Sequence, residues 1–256
     1  MQVSSTLMGG LGNQLFMMAA SFGYAKKHNR KCVIKIPIIQ RRSSTTEHYE
    51  ETVFMNFPKV VMDDPFVLRE PGKFALSYMN IPPVSHPQVQ LFGYFQNEKY
   101  FNFCFNDFMA QLVLPVVSDI PNTCFIHVRR GDYLKPGFAQ VHYLDLTLYY
   151  QRAIQHVLSK KPDCKFLVFS DDIAWCKHQD MFKGYDFYDN DNEKESLMTM
   201  AACVNGGICA NSSFSWWGSY MNRNPDKVVT YPSEWFKNQD IDVNIHCDFG
   251  AIIPIT

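Results

Sequence analysis

Short apolar runs alternate with polar, helix-patterned stretches along this chain, most clearly in its second half. Residues 2–8 have strand character and lead into Gly9-Gly10-Leu11-Gly12. Leu15, Met18, Ala19, Phe22 and Ala25 then recur at the spacing that lines one face of a helix. Lys26, Lys27 and His28 fill its last turn, where cations favour the negative end of the helix dipole, and Asn29 can close it. Residues 31–36 form a second strand, which makes a β-α-β unit with a glycine-rich first turn. From 40 to 118 the pattern is less legible. A polar stretch (41–51) and apolar pieces cut by prolines predict short helices and loops, with a strand over 88–95. Residues 115–121 link two halves.

The second half is more regular. Residues 123–128, 165–169 and 207–210 read as buried strands, with further strands at 185–188 and 228–231. Helices are predicted over 143–159 and 173–181, and others begin at Ser196 and Phe214. Alternation of this kind predicts an α/β fold with a parallel sheet, divided into domains at 1–118 and 119–256.

Composition narrows the class. At 256 residues the chain suits one large domain or two of roughly 120 residues each. With 46% hydrophobic and 19% charged residues it is globular rather than disordered. A net charge of -1 favours neither nucleic acid nor an anionic membrane as partner. The eight cysteines form no CxxC pair and no zinc-spaced cluster with histidine, and read as buried hydrophobes in a reducing compartment. No signal peptide or membrane-length apolar run is visible, so the expected setting is cytoplasmic and soluble, of bacterial or viral type. The sequence is silent on oligomeric state.

Chemistry gathers at strand ends. The strands at 123–128, 165–169 and 207–210 stop at His127-Val128-Arg129-Arg130-Gly131-Asp132, Ser170-Asp171-Asp172 and Asn211-Ser212-Ser213. In a parallel sheet these carboxyl ends share one edge, where ligands sit. Arginine forks match phosphate oxygens and stay charged at any working pH. Asn211, Ser212 and Ser213 cap a helix whose free N–H groups suit a phosphate. Asp171 and Asp172 have three options: capping their own helix, binding ribose hydroxyls, or orienting the arginines. Trp216 and Trp217 divide between packing on the sheet and lining the site. The glycine turn is neither a dinucleotide fingerprint nor a Walker loop, and serves ligand contact or tight packing equally well. The aromatic cluster from Phe92 to Phe101 suits a sugar wall, although core packing is the commoner fate.

These motifs carry a resemblance. Gly9-Gly10-Leu11-Gly12-Asn13-Gln14-Leu15-Phe16, His127-Val128-Arg129-Arg130-Gly131-Asp132-Tyr133, Val168-Phe169-Ser170-Asp171-Asp172 and Ala210-Asn211-Ser212-Ser213-Phe214-Ser215-Trp216-Trp217-Gly218 resemble, in order, the motifs of the α-1,2-fucosyltransferases of glycosyltransferase family 11. The resemblance implies a GT-B-like pair of Rossmann-type domains with parallel sheets facing a cleft. The amino-terminal domain would be the acceptor side and the carboxyl-terminal one would bind the GDP-sugar. The implied reaction is inverting transfer of L-fucose from GDP-β-L-fucose to a sugar hydroxyl, usually the 2-OH of a galactose-containing glycan, with no metal or other cofactor. Arg129 or Arg130 would hold the β-phosphate, and Asp132 would act as base or orient Arg130. Donor contacts are expected from Gly10, Gly12, Asn13, His127, Arg129, Asp171, Asp172, Asn211, Ser212, Ser213 and Phe214. Three alternatives stand beside this: another GDP-6-deoxysugar as donor, a non-catalytic nucleotide- or glycan-binding module, and a metal-using GT-A transferase. The last rests on Asp189-Asn190-Asp191, in a polar loop where a turn is the commoner role.

Overall fold

The computed structural model describes residues 1–36, 49–70, 77–237 and 244–256. The polar stretch 41–51 therefore lies, up to residue 48, outside the described residues. The chain forms two compact units: Met1–Leu114 with Asp242–Ile245, and Pro115–Ile241 with His246–Thr256.

In unit 1, β1 (Gln2–Ser5) leads through the glycine turn into α1 (Leu11–Lys27), followed by β2 (Lys31–Cys32) and β3 (Ile34–Ile36). The single strand expected over 31–36 is thus broken at Val33. β3 leaves to pair with β4 (Lys59–Val61) in a separate two-stranded sheet. β5 (Phe66–Arg69), β6 (Gln88–Phe92) and the short α2 (Phe105–Met109) complete the unit. The main sheet has the order β2-β1-β6-β5, all parallel. Sequence reading expected one strand between 40 and 118, and β4 and β5 are the additions. Both are short, and β5 runs along the sheet edge with Phe66 and Val67 exposed, so neither shows a buried apolar run.

α1 was expected to bury one face, yet it is buried almost all round from Leu11 to Ala25. A second aromatic layer explains this. Phe22 packs edge-on to Phe57 at 6.2 Å and against Phe108 at 5.7 Å, and Phe16 meets Phe101 at 6.1 Å. Phe95 and Phe101 are fully buried, so this part of the 92–101 cluster belongs to the core. The helix closes as its sequence suggests: Asn29 takes a left-handed φ of 49° and Arg30 N–H donates to Ala25 O at 2.9 Å.

In unit 2, the elements are β7 (Thr123–Val128), α3 (Thr147–Lys160), β8 (Lys165–Ser170), α4 (Ile173–Lys177), β9 (Asp186–Tyr188), α5 (Glu193–Ala202), β10 (Gly206–Ile208), α6 (Ser213–Met221), β11 (Val228–Pro232) and β12 (Gly250–Ile253). Their sheet has the order β12-β11-β10-β7-β8-β9, parallel throughout. Counted from β7, that is the doubly wound 3-2-1-4-5-6 order of a Rossmann fold, and its topological switch point lies between β7 and β10. β7 is buried at every position because helices cover both faces of its sheet. One face packs Ile126, Val128 and Val168 against Tyr149, Tyr150 and Ile154 of α3. On β10, a Cβ at Gly207 would fall 2.1 Å from the Phe125 ring, so glycine lets that ring lie against the strand. β12 escaped sequence reading because it is a sheet-edge strand with no fully buried position. All eight cysteines are buried and none forms a disulfide, and among the described residues no helix is long and apolar enough to cross a membrane.

Candidate functional site

Two of the three polar clusters, those after β7 and β10, flank the switch point of unit 2, and the third follows β8 beside them. Arg129 donates through Nη2 to Asp132 Oδ1 at 2.7 Å, and its Nη1 lies 3.0 Å from Asp171 Oδ2. Arg130 places Nε 3.1 Å from Asp172 Oδ2, its backbone N–H donates to Asp171 Oδ1 at 2.8 Å, and its guanidinium lies 3.8 Å above the Trp175 ring. Gly131 makes this possible, since a Cβ there would stand 2.4 Å from the Asp171 carboxylate.

Of the three options for Asp171 and Asp172, two are occupied together. Both orient the arginines, and Asp172 also caps α4 by accepting from Trp175 N–H at 3.1 Å. Asp132, expected beside Arg130, pairs with Arg129 instead, because the turn Asp132–Leu134 folds the carboxylate back over the first arginine. Burial works against charge on Arg129, but Asp171 and then Asp132 outweigh it and hold its pKa above the ordinary value. The guanidinium is thus aimed by two carboxylates. Among the described residues nothing accepts a hydrogen bond from Arg130 Nη1 or Nη2, so its terminal fork is uncommitted. Two guanidiniums stand against three carboxylates here. Preference for an anion must come from the aim of these donors rather than from excess positive charge.

His127 is 4% exposed, on the β7 face opposite the α3 core, with its ring 5.8 Å from Phe214. Burial, and then Arg129, push its pKa down to about 3, so it is neutral at working pH. Its Nδ1 is shielded from solvent and meets no hydrogen-bond partner among the described residues. An unsatisfied buried nitrogen costs about 1–3 kcal/mol, which a ligand hydroxyl or N–H can recover.

At the β10 end, Ser212 caps α6, its Oγ accepting from Phe214 N–H at 3.3 Å. Asn211 commits both amide hydrogens within the unit, to His142 O and Trp235 O at 2.9 Å each, while its own carbonyl accepts from Tyr133 O–H at 3.0 Å. Its side chain therefore fastens the 133–142 loop and has only Oδ1 left to offer a donor. Trp216 and Trp217 are both fully buried; the expectation that one lines the site fails because α6 turns this face inward. Asp189-Asn190-Asp191 forms a capping loop for α5. Asn190 Oδ1 accepts from Asn192 N–H, and Asn190 Nδ2 donates to Glu195 Oε2 at 2.8 Å. Among the described residues no cluster of three metal-ligating side chains occurs.

In unit 1, Gly10 is the N-cap of α1 without a side-chain cap, and a Cβ there would meet nothing within 4 Å among the described residues, so their packing does not demand this glycine. Gly12 is buried in the first turn. Asn13 Oδ1 accepts from Gln96 Nε2 at 2.7 Å.

Sequence reading passed over Trp175 and His142. Trp175 sits one turn into the helix that Asp172 caps, which was the available signal for its place under Arg130. His142 stacks on Tyr133 at 5.0 Å and 25°, a contact set by a loop with no periodicity to read.

Comparison with known proteins bears on the family of the chain. The sequence profile of glycosyl transferase family 11 matches residues 81–241, more than half of the chain, and that span contains all three strand-end clusters. An alpha-1,2-colitosyltransferase from Escherichia coli is 27% identical, over 94% of this chain and 94% of its own length. The O-antigen biosynthesis glycosyltransferase WbnK, also from Escherichia coli, is 26% identical over 91% of this chain and 94% of its own. A galactoside 2-alpha-L-fucosyltransferase from Caenorhabditis elegans is 25% identical over 86% of this chain and 68% of its own. Among solved structures, the fucosyltransferase NodZ from Bradyrhizobium superposes with a TM-score of 0.49 at 11% identity, over 85% of this chain and 92% of that one.

Proposed function

This chain belongs to glycosyl transferase family 11, and from that premise we propose that it transfers L-fucose from GDP-β-L-fucose to a sugar hydroxyl, the 2-OH of a galactose, with inversion and without a metal. The observation that carries this reading is the pair of carboxylate-aimed guanidiniums at the switch point of a Rossmann sheet. As the bond from the anomeric carbon to the phosphate oxygen breaks, negative charge gathers on the β-phosphate of GDP. Donors already aimed at that oxygen stabilise the transition state without reorganising. Arg130 offers its free terminal fork and Arg129 its remaining N–H groups. Asp171 and Asp172 hold the forks in place and stand within reach of ribose hydroxyls. His127 Nδ1 accepts from the donor.

Single-displacement inversion also needs a proton acceptor for the incoming hydroxyl. We assign this to Asp132, whose Oδ1 is steadied by Arg129 while Oδ2 meets no described hydrogen-bond donor. Unit 1, with Gly10, Gly12 and Asn13 at the α1 amino end, is assigned to the acceptor side, and the glycine turn to either substrate.

The names of the relatives divide between fucosyl and colitosyl transfer, and colitose is fucose without its 3-hydroxyl. A site built to hydrogen-bond that hydroxyl rejects the deoxy sugar by about 10⁴-fold, whereas an apolar pocket does not. The test compares kcat/KM for GDP-fucose and GDP-colitose on galactose-terminated acceptors, with product linkage read by NMR. Preference for GDP-fucose and an α1→2 product is expected. Preference for GDP-colitose overturns the donor assignment, and a β-linked product overturns inversion.

A further inference from the structure

Unit 1 holds a cavity of about 360 Å³ beside the carboxyl-terminal half of α1, bordered by Tyr24, Lys27, His28, Tyr78, Lys99 and Phe103 among others. Its lining residues on α1, from Ala20 to Lys27, lie roughly 12 to 22 Å along the helix from Gly12 at a rise of 1.5 Å per residue, so it is separate from the glycine turn. Its walls are preformed rings. Tyr78 meets Tyr100 at 4.9 Å and Tyr24 meets His28 at 4.3 Å. Helix and loop are locked together here by Gly23, where a Cβ would stand 2.0 Å from Tyr100 O. Yet Tyr78 and Phe103 remain 37% and 59% exposed, so the pocket keeps uncovered aromatic faces.

Its polar groups share one sign. The Tyr24 hydroxyl donates to Pro82 O, and the Tyr100 hydroxyl accepts from Met79 N–H. Lys27 Nζ reaches only the neutral Asn80 Oδ1, at 3.3 Å, and neither Lys27 nor Lys99 meets a carboxylate among the described residues. His28 Nε2 is shielded from water and meets no hydrogen-bond partner among the described residues. Among the described residues no acidic side chain lines the cavity. The negative end of the α1 dipole opposes an anion here, and two unpaired ammoniums oppose it in turn.

We propose that this cavity binds a six-membered ring carrying one anionic group, its flat face on Tyr78 and Phe103 and its charge between Lys27 and Lys99. Sugar C–H faces and aromatic rings both pack on such walls, so the shared chemistry is a ring acid: an acidic sugar or an aromatic carboxylate. This site stands independently of the transferase reading.

Saturation-transfer NMR on the full chain tests it, with glucuronate, benzoate and neutral glucose as probes, each with and without excess GDP. Either acid is expected to give ring-proton signal that survives GDP and exceeds that of glucose. The stronger of the two acids identifies the natural class. The double variant Lys27→Gln/Lys99→Gln should weaken binding roughly fivefold to tenfold, as two rim ion pairs would. Phe103→Ala, at an exposed position, should weaken it without touching the fold. The proposal is overturned if neither acid gives signal, if GDP removes it, if glucose matches the acids, or if the double variant leaves binding intact in a chain of unchanged melting temperature.

Discussion

Asp132 carries two possible burdens at one carboxylate, since it steadies Arg129 from 2.7 Å and is assigned the acceptor's proton. Asp132→Asn keeps the shape and removes the basicity. We expect kcat to fall about 10²–10⁴-fold, with GDP affinity changed little. A variant losing less than tenfold in kcat would make Asp132 a positioning residue only. His127 bears on stability as well as on donor binding. Its folded pKa of about 3 lies below the ordinary 6.5, so the unfolded chain binds the extra proton first as pH falls. Stability is fully present above about pH 6.5 and drains away toward pH 3, by about 2 kcal/mol at pH 5 from this residue alone. His28, His142 and His246 are also held below their usual values by burial and push the same way. In thermal melts His127→Gln should flatten the acid limb between pH 7 and 5. An unchanged slope would show that His127 is not the neutral buried group described here.

At the scale of elements, legibility followed burial. β7 and β8 were readable because central parallel strands are apolar and end abruptly in polar residues. α3 was readable from its period, and the Asn29 closure of α1 from residue type. β4, β5 and β12 were hidden because short or edge strands bury too little to leave a pattern. Within the site, residue types and strand ends were legible, but the pairing was not. Which carboxylate meets which arginine depends on the Gly131 turn and on the register of β7 beside β8, where Val128 faces Ser170. The same dependence on close approach governs β10. Gly207→Ala should push a methyl into the Phe125 ring and cost about 1–3 kcal/mol, lowering the melting temperature by several degrees in a chain of this size. Phe125→Leu in the same chain should recover part of the loss. An unaffected melting temperature in Gly207→Ala would show that the strand and ring are not so tightly apposed.

For the whole molecule, the division of labour is one of topology. Unit 2 has the strand order that creates a switch point, and its two flanking loops carry the arginines and the α6 cap. Unit 1 has a parallel sheet of its own and a helix start at Gly10 without a side-chain cap. In the proposed reaction, two guanidiniums held by three carboxylates stabilise a departing GDP in place of a divalent cation. The most direct test is GDP release from GDP-fucose with a galactose-terminated acceptor, first in EDTA and then in manganese. The account predicts acceptor-stimulated release in EDTA, unimproved by manganese. It also predicts losses of at least about 10²-fold in Arg129→Ala and in Arg130→Ala, the scale of removing a preorganised oxyanion donor. Release that needs manganese, or that survives both arginine substitutions, would contradict it.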